Sequence, residues 1–159
     1  MELKPCDLIL VRNHGLVSDI IKDITDSNYS HVAGVIDNNS KLVEAEGFEK
    51  TGQVSIDKYV GIYDVYRYEG LTEEQKDLII GYINGQVGSR YDYFLLFVEL
   101  FRYVFHIILP YKEPFGSHIC SMLWYDAFKS VGIDLCPDID SKYPSPKDIS
   151  ESKLLIKIN

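Results

Sequence analysis

The first half of the chain is written in short apolar runs broken by turn residues, and the second half in longer stretches with helical spacing. Asp7 to Arg12, DLILVR, is a short apolar run ending in a charge and reads as a strand. Behind it, Gly15 to Ile24 spaces Leu16, Ile20, Ile21 and Ile24 at helical intervals. Ser30 to Ile36, SHVAGVI, and Lys41 to Glu46, KLVEAE, flank Asp37-Asn38-Asn39-Ser40, residues that tolerate turn conformations and bond their own backbone. That pair predicts a β-hairpin. Val54 to Ile56 and Ile62 to Tyr68 offer two more strands, the second by its alternation.

Thr72-Glu73-Glu74-Gln75 places a hydroxyl at a helix cap and an amide acceptor three residues on, so a helix is expected from Glu73 to about Asn84. Ser145-Pro146-Lys147-Asp148 repeats the logic for a short helical piece, with Pro where its missing N–H costs nothing. Lys153 to Ile158, KLLIKI, reads as a final strand. Between these, Tyr91 to Tyr111 is strongly apolar and aromatic, but Glu99, Arg102 and His106 recur at three and four residues and line one stripe of a helix. A charged stripe is costly at a bilayer centre, which argues against a membrane span. Two readings stand: a core-packed or partly exposed helix, or a lipid- or membrane-surface contact through residues 91–111. Strands gathered early and helices gathered late predict an α+β fold.

Composition narrows the classes. The 159 residues, 46% hydrophobic and 25% charged, suit one soluble domain spanning 1–159, with no repeat and no low-complexity tract. A formal net charge of -8 disfavours nucleic acid, which needs clustered cations. The amino terminus, MELKPCDLILVR, is charged at once and lacks the apolar core and cleavage site of a secretory signal, so the cytoplasm is the expected compartment. Cys6, Cys120 and Cys136 are odd in number and lack metal-type spacing, so neither a disulfide framework nor a metal site is expected, and no cofactor is called for.

Cys120 is the candidate with chemistry. Met122, Leu123, Tyr125, Ala127, Phe128 and Val131 form the apolar face of a helix that Gly132 is placed to end, and Cys120 stands at its start. Free N–H groups of a first turn lower a thiol's pKa and can bind an oxyanion. The plain alternative is a small buried hydrophobe. A base is to be sought among His14, His31, His106 and His118. His118 shares the cysteine's own approach to the helix and lacks an independent scaffold. His31 starts a hairpin strand, on one face with Ala33 and Val35, opposite Glu46 and diagonal to Glu44. Spacing does not choose between the two carboxylates, and a histidine merely satisfied in a sheet is the competing reading.

DLIL, SHVAGVI, LVEAEG, VGSRYDY, ICSMLWYDAFKSVGIDL and SPKDI, in that order, resemble the circularly permuted YiiX/YebB branch of the NlpC-type, papain-like cysteine peptidase superfamily. The resemblance spans most of the chain, and its histidine strand precedes the cysteine helix as in the permuted branch. It implies a permuted papain-like fold, with an antiparallel sheet or barrel from the first half packed against helices. It further implies Cys120 as nucleophile, His31 as general base and Glu44 as the residue orienting the imidazole. Tyr91 and Ser121 fall on the substrate or oxyanion side, with a packing aromatic the alternative for Tyr91, and Asp7 is read as structural. Cys6 and Ala33 stand where the family usually has glycine; for Cys6 this predicts an ordinary backbone torsion.

The implied activity is that of a cysteine amidase or peptidase that cleaves an amide or related acyl bond through a thioester, on a small peptide such as a cell-wall peptide or on an acyl-lipid. A thiol acyltransferase or esterase acting on lipid uses the same groups. A non-catalytic ligand-binding module of the same shape is the reading from a different class.

Overall fold

The structure is a computed structural model and describes residues 2–12, 18–19, 22–23, 26–45, 50–91, 117–118, 120–139 and 144–159. Its frame is a six-stranded antiparallel sheet built from β1 (Leu8–Val11), β2 (His31–Val35), β3 (Lys41–Glu44), β4 (Gly52–Ser55), β5 (Tyr63–Arg67) and β8 (Ile156–Lys157), in the order β4-β3-β2-β1-β5-β8. A short parallel pair, β6 (Arg90–Tyr91) with β7 (Ser117–His118), stands apart from it. The described helices are α1 (Glu73–Gln86), α2 (Cys120–Ser130) and α3 (Pro146–Ser150). The architecture is α+β.

The continuous apolar run of β1 follows from its place inside the sheet, where both faces are covered. Alternate residues leave for different cores. Leu8 and Leu10 join Val32, Val43 and the helices, whereas Ile9 and Val11 join Ala33, Val35, Leu42, Tyr59 and Val65 on the other face. The hairpin turn is held by Asp37 Oδ1, which accepts from the N–H groups of Asn39 (2.9 Å) and Lys41 (3.0 Å). An ion pair ties the frame across β1: Arg67 donates to both oxygens of buried Asp7, at 2.6 and 2.7 Å. This fits the structural reading of Asp7.

The capping boxes at Thr72 and Ser145 are both formed, and α1 runs two residues past the expected Asn84. Three expectations change. The strand read from Val54 to Ile56 is Gly52–Ser55, because the Ser55 hydroxyl accepts from Asp57 N and turns Ile56–Tyr59 into a 3-10 helix. The last strand keeps only Ile156–Lys157: Leu154 N and Leu155 N bond back to Ser152, and Leu155 is buried in the core. Cys6 does need the unusual torsion, with φ 71 in the left-handed region, so a side chain is carried where glycine is easier. The helix read over Gly15 to Ile24 lies largely outside the described residues, and the aromatic segment after Tyr91 lies wholly outside them. Among the described residues, no helix is long and apolar enough to cross a membrane.

Candidate active site

His31 opens β2 beside Val11 of β1, and Ala33 pairs with Glu44 of β3, so Glu44 sits diagonally across from the imidazole on the same face. The diagonal is closed by a hydrogen bond between His31 Nε2 and Glu44 Oε2 at 3.0 Å. Both side chains are buried. Glu46 lies outside the described residues.

Cys120 is the first residue of α2, is itself buried, and lies close enough to the His31 side chain for each to shift the other's pKa. Because Nε2 is committed to Glu44, Nδ1 is the ring nitrogen left for the sulfur. Backbone groups of Val32 and Ser121 also favour the thiolate over the thiol. The nucleophile candidate therefore stands where a strand start meets a helix start.

A packing device sets that meeting point. Trp124 lies one helical turn beyond Cys120 and so on the same face of α2. Its indole presses on Gly34, where an added Cβ would come within 2.3 Å of Trp124 Cε2. The indole N–H donates to Val43 O at 2.9 Å. The helix is thus keyed to β2 three residues from His31 and to β3 one residue from Glu44.

The electrostatics run along the line of three groups. Burial pushes the Cys120 thiol up, but the hydrogen bond and charge of His31, with the Val32 and Ser121 backbone, outweigh it and bring the pKa below its ordinary value. For His31, burial favours the neutral ring, and the bonds and charges of Cys120 and Glu44 overcome this and raise the imidazole to about 10. Burial opposes ionisation of Glu44 as well, and His31, Lys58 and Tyr59 together lower its pKa to about 2. Both shifts favour a thiolate facing an imidazolium. The other thiols behave in the opposite way: burial pushes Cys6 and Cys136 up to about 12.

Two residues at the site have no warning in the sequence. Lys58 Nζ donates to Glu44 Oε1 at 2.7 Å, and the Tyr59 hydroxyl donates to Glu44 Oε2. Both sit on the 3-10 turn that Ser55 caps, so the only available signal was that Ser-x-Asp cap. Of the remaining candidates, Ser121 is buried at the sulfur. The Tyr91 backbone pairs with His118, two residues before Cys120, which brings the β6 strand to the cysteine's approach. His14 and His106 lie outside the described residues. Among the described residues, no three His, Cys, Asp or Glu side chains converge as a metal-holding group.

The sequence matches no family model and no curated protein. The fold is shared with a solved structure: the chain is similar, with a TM-score of 0.72 over 100% of its own length and 98% of the other, to the metalloprotein YiiX of Escherichia coli O157:H7, a DUF1105 protein, at 18% sequence identity.

Proposed function

We propose that this chain is a cysteine hydrolase of permuted papain-like, NlpC-type fold, cleaving an amide or related acyl bond through a thioester on Cys120. The observation that carries the reading is the buried grouping of Cys120, His31 and Glu44, drawn from α2, β2 and β3, with His31 hydrogen-bonded to Glu44 and in electrostatic contact with Cys120. A nucleophile, a base on an independent scaffold and an acceptor fixing the base's tautomer are what covalent acyl chemistry requires.

In the first step the Cys120 thiolate attacks the carbonyl carbon, and the C–S bond forms as the carbonyl oxygen takes up negative charge. Backbone N–H groups at the start of α2 are the donors for that oxyanion, each worth roughly 3 kcal/mol in comparable sites. His31 then gives the proton on Nδ1 to the leaving nitrogen or oxygen, and the thioester remains. Water, deprotonated by the same nitrogen, attacks the thioester, the acid departs, and the thiolate–imidazolium pair is restored. A different acceptor in place of water makes the same site an acyltransferase.

The YiiX neighbour is described as a metalloprotein, but the donor set here does not fit a metal ion. His31 gives one ring nitrogen to Glu44 and leaves the other for the sulfur, and both Glu44 oxygens already accept bonds. Every step above is therefore assigned to this chain's own groups.

The substrate class is tested by offering γ-linked dipeptides beside acyl esters and weighing the intact protein during turnover. The expected result is product release from one class, a mass increase equal to the acyl group, and loss of both in Cys120→Ala. Turnover that survives Cys120→Ala would overturn the reading, as would an inert protein whose Cys120 binds these compounds without acylation, the behaviour of a binding module.

A further inference from the structure

Glu44 is held by more than the imidazole. Three donors share its two oxygens: Lys58 on Oε1, and His31 and Tyr59 on Oε2. Lys58 also places its ammonium 5.2 Å from the centroid of the Tyr59 ring, so the two clamp members touch each other. The Tyr59 ring lies 6.0 Å from the His31 ring and is buried in the second core. Local geometry explains the pairing. In a 3-10 turn, positions three apart eclipse, so Ile56 and Tyr59 pack the same way against that core, and Lys58 follows the chain to the carboxylate's outer oxygen.

We propose that Tyr59 and Lys58 are positioning residues of the site, pinning Glu44 as an ionised acceptor and through it holding the His31 ring with Nδ1 toward Cys120. The inference rests on Cys120 and His31 acting as nucleophile and base. The physics is that of tautomer choice. An ionised carboxylate only accepts, so the nitrogen facing it must carry the proton and the other nitrogen is the basic one. A protonated Glu44 would be a donor, and the imidazole would be free to present the wrong nitrogen to the sulfur. Two outside donors favour the ionised form, in keeping with the low pKa of Glu44. The titratable groups against His31 and Glu44 include Cys120 from α2 and Lys58 and Tyr59 from the turn.

The test is the pH dependence of iodoacetamide labelling at Cys120, read peptide by peptide by mass on the full-length folded protein. Tyr59→Phe keeps the packed ring and removes one donor; Lys58→Met keeps the stem and removes the charge. Each is expected to raise the Cys120 midpoint by about one pH unit, equal to roughly tenfold slower labelling on the acid side. Neither is expected to move it further in a Glu44→Gln background, because the proposed effect runs through the charge of that carboxylate. A role in packing alone would leave the midpoint in place, and wild-type midpoints in both variants would overturn the inference while leaving the base role of His31 standing. A wild-type Cys120 that labels no more readily in acid than Cys6 or Cys136 would overturn the base role itself, and this inference with it.

Discussion

Glu44 shows how a single residue is specified twice, once by its own strand and once by what surrounds it. Its position diagonal to His31 follows from the hairpin register, and its charge follows from three donors. The linkage has a definite sign. A carboxylate whose folded pKa is about 2, against an ordinary 4.5, adds stability that is fully present above pH 4.5 and is lost as the pH falls through about 2. Urea denaturation of wild type and Glu44→Gln is therefore expected to differ most at neutral pH and to converge on acidification; a gap that widens toward acid would contradict the assignment. The place of Glu44 diagonal to His31 was legible in the sequence because a two-residue period and a four-residue turn fix which side chains share a face. Tyr59 and Lys58 were not legible: their contact spans fifteen and fourteen residues, through a turn whose direction depends on where β4 pairs.

At the scale of elements, the decisive contact is between α2 and the hairpin. Trp124 fits only because Gly34 has no side chain, and the fit sets where the first residue of the helix comes to rest. Gly34→Ala forces the indole away from β2, with an overpacking cost of roughly 1–3 kcal/mol. It is expected to lower the thermal midpoint and also to slow labelling of Cys120, since the sulfur withdraws from His31. Thr72→Ala serves as the control, costing about 1 kcal/mol of capping energy in α1 while leaving Cys120 labelling unchanged. Equal labelling in wild type and Gly34→Ala would show that the indole does not place the sulfur. Both capping boxes and the end of α2 near Gly132 could be read from local signals, since each is decided within a few residues. The indentation of Trp124 into Gly34 could not, because a large residue and a missing one match only after the helix is laid across the sheet.

Taken as a whole, the molecule uses one sheet to do two things. The order β4-β3-β2-β1-β5-β8 buries β1 and β2 under cores on both faces, and it leaves the starting end of β2 as the place where α2 meets the sheet. The α+β character was legible because the periods of two and of 3.6 separate cleanly along the chain. The shortening of β8, set by the bonds of Leu154 and Leu155 back to Ser152, and the left-handed torsion at Cys6 were not, because neither leaves a mark in the hydrophobic period. The same fold turns three chemically identical thiols into different acids. Burial drives Cys6 and Cys136 up to about 12, while His31 and the helix start bring Cys120 below the ordinary 9.0.

That contrast gives the most direct test: the ultraviolet absorbance of thiolates, followed across pH in the native protein. The account predicts one thiolate's absorbance appearing below pH 9.0, absent in Cys120→Ala and displaced upward in His31→Ala, with the other two thiols ionising only in strong alkali near 12. Three thiols rising together at or above 9.0 would contradict it, because Cys120 would then have no imidazolium to answer to.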